Sequence, residues 1–369
     1  YGSHVTMYEP SSQKNYNIEP SISTSYEIGT EFRLFNNRLW GDFNYYTRDD
    51  KDQIISVTSA PQSGYSTRKM NAGLIRNRGV ELSLGGMPVS TKNWKWEMNF
   101  NIAKNSNKLV ELADGVDSYS IYWTSFTTRL YNYAMVGKSL GVITGNTWER
   151  DDNGNIIFHE LSASQKALYG GEYVPTYNQN TLDELGNFHP DFTGGFNTSI
   201  SFKNFRLSAN IDFSVGGQIV SYTNMWGSSS GILDKTAELN DRGVNVREPV
   251  SKGGGIHMTG VDQDGNKVDT YVNAKLYYTT ASRVWEEWVY DRTYVKLREV
   301  SLSYVFPSQT LKKLNIGLSR ASVAINASNP WLIYSACPNV DVSEIGMGYF
   351  EGGNAAATRS IGFTVNLAF

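Results

Sequence analysis

The sequence predicts an all-β fold, a transmembrane antiparallel β-barrel contributing about nine strands with long extracellular loops. Three observations carry this. Strict apolar/polar alternation recurs in nine segments, the connections between them alternate short and long, and aromatic residues gather beside the short ones. A period of two places successive side chains on opposite faces of a strand. A membrane strand needs that pattern, with lipid on one side and a polar lumen on the other.

The clearest segment is Trp94-Lys-Trp-Glu-Met-Asn-Phe-Asn-Ile-Ala103. Trp94, Trp96, Met98, Phe100 and Ile102 share one face, and Lys95, Glu97, Asn99 and Asn101 the other. Val80, Leu82 and Leu84 alternate in the segment before it, and the polar link Ser90–Asn93 makes the two a hairpin. Tyr26, Ile28, Phe32 and Leu34 form an earlier strand, which turns at Asn36-Asn37, a pair that tolerates positive φ. Leu39, Phe43 and Tyr45 return from it. Phe196, Thr198, Ile200 and Phe202 lead to a turn at Lys203-Asn204, and Phe205, Leu207, Ala209, Ile211 and Phe213 come back. Val300, Leu302, Tyr304 and Phe306 precede a short polar link with Pro307, and the return runs through Val323, Ile325 and Ala327. A change of phase between Leu297 and Val300 predicts a β-bulge. Ile361, Phe363, Val365, Leu367 and Phe369 form the last strand.

Links inside these hairpins are short, about two to ten residues. Those between hairpins are long, roughly 50–75, 107–190, 215–290 and 330–357. A soluble sandwich does not need such loops, whereas outer-membrane barrels pair short periplasmic turns with long extracellular loops. With strand 22–35 running down toward the short turns, the ninth strand, 358–369, also runs down and leaves Phe369 in the periplasm. Strand lengths of about 10–14 residues suit a tilted crossing of the bilayer. Trp94, Trp96, Phe202, Phe205, Tyr304, Phe306 and Phe369 lie where a membrane girdle belongs, because amphipathic rings favour the headgroup level. Residues 1–21 read as an upstream loop or strand segment, and 22–369 as barrel.

Composition narrows the function. The 369 residues carry 33 Lys+Arg against 36 Asp+Glu, with no basic stripe, so nucleic acid is not an expected partner. A mean hydropathy of −0.39 with no apolar run of spanning length excludes a helical membrane protein. The single cysteine, Cys337, cannot form an internal disulfide, and the four histidines are scattered, so no metal site or cofactor is expected. No leader peptide is legible at Tyr1-Gly-Ser-His4.

No catalytic constellation emerges, and an enzyme is not expected. Asp151-Asp-Asn-Gly-Asn155 and Asp262-Gln-Asp-Gly-Asn266 could offer oxygen ligands to Ca²⁺, but the closing Glu of an EF-hand is absent. Tight hairpin turns are the better reading of both. Glu286-Glu287 would diverge on an extended strand, so they read as solvated loop charges rather than an acid/base pair. Tyr119, Tyr122, Trp123, Tyr222 and Trp226, in predicted extracellular segments with Ser, Thr and Asn, are candidates for substrate binding or lid contact. Packing of the loops themselves is favoured over direct binding, since long ordered loops need small cores of their own. Glu97, Asn99, Arg206 and Asp212 are expected to face the lumen.

Four stretches resemble the C-terminal barrel of the SusC/RagA-type TonB-linked outer-membrane transporters of Bacteroidetes. They are Tyr26–Leu39, Asn77-Arg-Gly-Val-Glu-Leu82, Gly186-Asn-Phe-His-Pro-Asp-Phe-Thr-Gly-Gly-Phe196 and Tyr294-Val-Lys-Leu-Arg-Glu-Val-Ser-Leu-Ser-Tyr304. The terminal Phe369 resembles the signal read by the barrel assembly machinery. The resemblance implies a 22-stranded barrel with an N-terminal plug, a SusD-like surface lipoprotein as lid, energy delivered by the TonB complex, and oligosaccharide or oligopeptide substrates. Nine strands left open would expose two unpaired edges to lipid. The chain is therefore expected to be a fragment whose plug and first barrel strands come from elsewhere in the same transporter. A passive porin and a soluble all-β glycan-binding module are the rival readings.

Overall fold

A computed structural model describes the chain except for residues 1–10, 59–60, 125–127, 181, 315–316, 346–349 and 353–356. Nine long strands form one sheet: β1 (Ile22–Leu34), β2 (Leu39–Thr58), β3 (Thr67–Ser90), β4 (Trp94–Glu111), β5 (Phe192–Phe202), β6 (Phe205–Val215), β7 (Tyr294–Val305), β8 (Arg320–Ser335) and β9 (Ser360–Ala368). They follow one another in sequence order, each antiparallel to the next. Ser12–Gln13 adds a short parallel pairing to β3. Among the described residues β1 and β9 have no further partner, so the sheet is an open part of a barrel wall.

The expected turns are present. Phe35, Asn36 and Asn37 all have positive φ between β1 and β2, and Lys203 (φ 53°) turns the two-residue link from Phe202 to Phe205. The bulge lies at Arg298, where Glu299 pairs with Asn210 but Leu297 with Ile211. Ser319 N donates to Ala368 O, which places the last strand's end beside the short turns, as the parity count requires.

Two expectations about length need correction. The strands run from 9 to 24 residues rather than about 10–14. β2 and β3 continue well past the apolar alternation, so the first long link shrinks to 59–66. Their extensions carry charge on both faces and hold together by backbone ladder and ion pairs such as Arg76–Asp49 at 2.6 Å. The link after Phe306 exceeds a simple turn: it contains a short helix, Ser308–Leu314.

The packed core does not lie against the apolar face of the sheet. It sits in the long links, where Trp148, Tyr222, Met225, Tyr278, Val284, Trp285 and Trp288 cluster with each side chain buried. Three small sheets and several helices, among them α1 (Tyr222–Ser229) and α2 (Ala274–Ala281), build this outer layer. By contrast, the barrel strands leave their apolar side chains open. Val89, Trp96, Ile200, Leu207, Leu302, Ile325 and Phe363 are register neighbours across seven strands, a continuous apolar row. Leu302 is 47% exposed and Phe363 68%.

Candidate functional site

The sheet has two unlike faces. On the apolar face, Trp94, Phe202, Phe205 and Tyr304 are successive register partners beside the short turns. Ring centroids lie 4.3 Å apart for Trp94–Phe202, 4.7 Å for Phe205–Tyr304 and 5.1 Å for Tyr304–Phe306. Trp96 stands one row above and donates its indole N–H to Thr198 Oγ1 at 3.0 Å. Phe369 is exposed at the chain's end. Trp94 to Lys104 spans ten residues of β4, about 33 Å of strand at roughly 3.3 Å per residue. A tilt of about 40° converts that to about 25 Å of height, the thickness of an outer-membrane apolar band.

A second set of aromatics at the far end of the band was missed by sequence reading. Phe192, Trp331 and Tyr334 are 37%, 60% and 52% exposed there. Register breaks at 295/296 and 297/299, with Asn329 at φ 49°, scramble the alternation that would have revealed Trp331 and Tyr334.

The opposite face is polar and braced. Glu97, Asn99, Ser199 and Arg206 line a depression of about 330 Å³, and Arg206 Nη2 donates to Ser199 Oγ at 3.2 Å. Higher on this face, Arg298 reaches Asp212 at 2.9 Å and also pairs with Glu344. The ammonium of Lys296, almost wholly buried, donates to Asp341 Oδ2 and Glu344 Oε1, each at 2.7 Å, and to Ser343 Oγ at 3.1 Å. This fastens residues 341–344 to the wall. Burial pushes the Asp341 carboxyl up, but Lys296 and Ser343 outweigh it and hold it below its ordinary value. Lys296 is the main cause that lowers Glu344.

In the outer layer the candidate aromatics separate. Ser221 caps α1: its Oγ accepts from Asn224 N at 3.1 Å and donates to Glu351 Oε2 at 2.7 Å. The buried Glu351 carboxylate also accepts from the Thr223 hydroxyl and, at 3.3 Å, from Thr223 N. A carboxylate at a helix N-terminus meets unpaired N–H groups and a favourable dipole. These bonds hold Phe350 edge-on to Tyr222 at 5.1 Å and against Tyr122 at 5.1 Å. Tyr222 is buried and meets Trp285 edge-on, so its ring is loop core. Trp226 is 46% exposed and, with Ile232, Leu233 and Phe350, rims an apolar groove of about 480 Å³. Gly352 makes this fit possible: a Cβ there would sit 2.7 Å from Tyr222 Cβ. Tyr119 is elsewhere, packed on Ile55 and Val57. The Trp123 side chain lies outside the described residues. Phe350, Ile232 and Leu233 had no sequence signal, since each stands in a stretch without periodicity.

The remaining constellations are structural. Asp151 Oδ1 accepts from the N–H of Asn153 and Asn155, Asp262 Oδ1 from Asp264 and Asn266, and Gly154 and Gly265 take the positive φ of a tight turn. The described residues contain no metal-ligating cluster. Glu286 and Glu287 are not solvated loop charges: they lie in a 3₁₀ turn, Trp285–Trp288. Glu286 binds Trp148 N at 3.1 Å and Arg150 Nη2 at 2.6 Å, and Glu287 the Trp148 indole at 2.6 Å. Burial pushes the Cys337 thiol up to about 12, which leaves it an inert core thiol.

Comparisons agree with this geometry. The profile of the TonB dependent receptor-like β-barrel family matches residues 3–218. TonB-dependent receptor P3 of Formosa agariphila is 28% identical over 335 residues, covering 89% of this chain and 31% of that protein. TonB-dependent receptor SusC of Bacteroides thetaiotaomicron is 30% identical over 225 residues, covering 58% of this chain and 21% of that protein. The chain thus spans about a third or less of the relatives' length. The structure of the RagAB peptide importer in the closed-closed state superposes with a TM-score of 0.68 at 19% identity, over 95% of this chain and 35% of that one. Its open-open state gives 0.67 at 18% identity, over 94% and 34%. The chain belongs to the TonB-dependent receptor-like β-barrel family, whose barrels lie in the outer membrane.

Proposed function

We propose that this chain is the C-terminal barrel portion of an energised outer-membrane importer for oligosaccharides or oligopeptides. A SusD-type surface lipoprotein delivers the substrate, TonB supplies the energy, and the plug and first strands complete the barrel. The single observation that carries the membrane part is the inverted sheet, apolar outside over seven strands and charged inside. Water would penalise that outer face, whereas lipid accepts it. The aromatic rows serve as the two girdles, and the short turns with Phe369 face the periplasm. Substrate passes along the polar face, where Glu97, Asn99 and Arg206 offer hydrogen bonds. Trp226 and the groove beside it meet the captured oligomer or the lid.

The test is uptake by cells carrying the complete transporter, with fluorophore-labelled dextrins and labelled tryptic peptides as probes. Import of one probe class should vanish without TonB and fall with Trp226→Ala at unchanged barrel abundance. Import that persists without TonB makes this a passive barrel and overturns the energised reading.

A further inference from the structure

On the outer face of β2, β3 and β4, immediately beyond the apolar band, five cations converge. Val80 and its register partner Tyr45 are the last apolar row, with Lys104 already replacing an apolar residue beside Val80. The next row holds Arg78, the one after it Arg76 and Lys108, and then Lys51. Asn107, between Lys104 and Lys108 in alternation, points inward to accept from Ser139 Oγ at 2.7 Å, which fixes its neighbours outward. Two carboxylates share these rows with the five cations: Glu111 stands level with Lys51, and Asp49 is held by Arg76 through two bonds, at 2.7 and 2.6 Å. The salt bridges of the described residues take in Arg76 alone of the five. Arg78, Lys51, Lys104 and Lys108 are exposed, Lys104 lying over the Phe192 ring at 4.9 Å. A cleft of about 410 Å³ opens between Tyr26, Asp49, Lys51, Arg76 and Arg78.

We infer that this cluster binds the phosphate group of an anionic lipid headgroup at the outer boundary of the membrane. The inference rests on the membrane reading above. A bilayer that covers Ile28, Tyr45 and Val80 brings its headgroups to the next one or two rows, where the cations are. Tyr26, 72% exposed in the row of Arg78, fits the same level. Arginine forks match phosphate oxygens in pairs, and lysines add point charge. A barrel surface on which cations outnumber carboxylates is costly unless anions are supplied, and at this height lipid supplies them.

The experiment uses the complete transporter purified in dodecyl maltoside and the triple variant R78Q/K104Q/K108Q. A control variant, K252Q/K267Q/K275Q, removes equal charge from the links. Heat-modifiable migration checks folding in all three. Native mass spectrometry then counts bound phosphatidic acid and phosphatidylcholine, with millimolar inorganic phosphate as competitor. Each cation contributes about fivefold, so the triple variant should bind phosphatidic acid roughly a hundredfold more weakly. The control should bind like the wild type, and phosphatidylcholine should not discriminate. Equal binding by variant and wild type overturns the inference, as does occupancy by inorganic phosphate that phosphatidic acid does not displace. A change of oligomeric state in the variant without a change in lipid binding makes the patch a barrel–barrel contact and also overturns it. If a photoreactive lipid fails to label Ile200, Leu207 or Phe363, the membrane reading itself has failed. If it labels them and phosphatidic acid binding is unselective, only the headgroup site has failed.

Discussion

Arginine introduced along β7 should cost stability according to depth and face. Tyr304 lies in the girdle row; Leu302 and Val300 follow upward on the same face, while Ser303 and Ser301 interleave on the polar one. Each step of two residues rises about 6.6 Å along the strand, or about 5 Å in height at a 40° tilt. Leu302 therefore stands about 5 Å inside the girdle and Val300 about 10 Å, near the midplane of a 25 Å band. Arginine facing lipid costs about 2–4 kcal/mol at the midplane and about 0–1 near the interface. The expected order is Tyr304→Arg under about 1 kcal/mol, Leu302→Arg about 1–2, and Val300→Arg about 2–4. Ser303→Arg should stay under about 1 kcal/mol, and Ser301→Arg about 1, the latter from losing its bond to Asn326 at 2.6 Å. The assay is urea unfolding of the complete barrel refolded into phosphatidylcholine vesicles, followed by heat-modifiable migration. If the face met water, substitution at the exposed Leu302 would fall within about 0.5 kcal/mol and no gradient would appear. Equal costs at Val300 and Ser301 would refute the assignment of faces.

Glu351→Ala strips the acceptor from Ser221 and Thr223 and should loosen the outer layer by about 1–3 kcal/mol, read as earlier proteolysis within link 336–359 on an intact barrel. Gly352→Ala should push Phe350 off the groove rim and uncover Trp226 at unchanged barrel abundance, read as loss of Trp226 protection from an aqueous quencher. Asp341 and Glu344 are held below their ordinary 3.8 and 4.5 by Lys296, so their contribution is complete above those values and is lost as pH falls through the lower, native ones. The protection factor for hydrogen exchange in residues 341–345, taken against the intrinsic rate at each pH, should therefore fall below about pH 4 and stay flat from pH 5 to 8; Lys296→Gln should abolish that step.

The nine strands were legible because each must satisfy lipid and lumen at once, which writes a period of two into Trp94–Ile102 or Ile361–Phe369. Even the Arg298 bulge left its mark as a change of phase. The extensions of β2 and β3 were not legible, since beyond Tyr45 and Val80 neither face lies in the apolar band and Arg48, Asp50 and Arg76 replace alternation. The links hid their fold for a similar reason: short strands around Trp148 and Trp285 bury residues from both faces. Tyr222 and Trp226 show the limit for the site. They share one face of α1 at a spacing of four, yet Phe350 and Trp285, distant in sequence, cover only the first.

The central claim is that the apolar face of this sheet contacts lipid, and photolabelling of the complete transporter in vesicles doped with a diazirine-bearing phosphatidylcholine tests it most directly. Mass spectrometry should find adducts on Ile200, Leu207, Leu302, Ile325 and Phe363 and none on the interleaved Ser199, Ser208, Ser301, Ser303 and Asn326. Adducts on both sets, or on neither, would contradict the account.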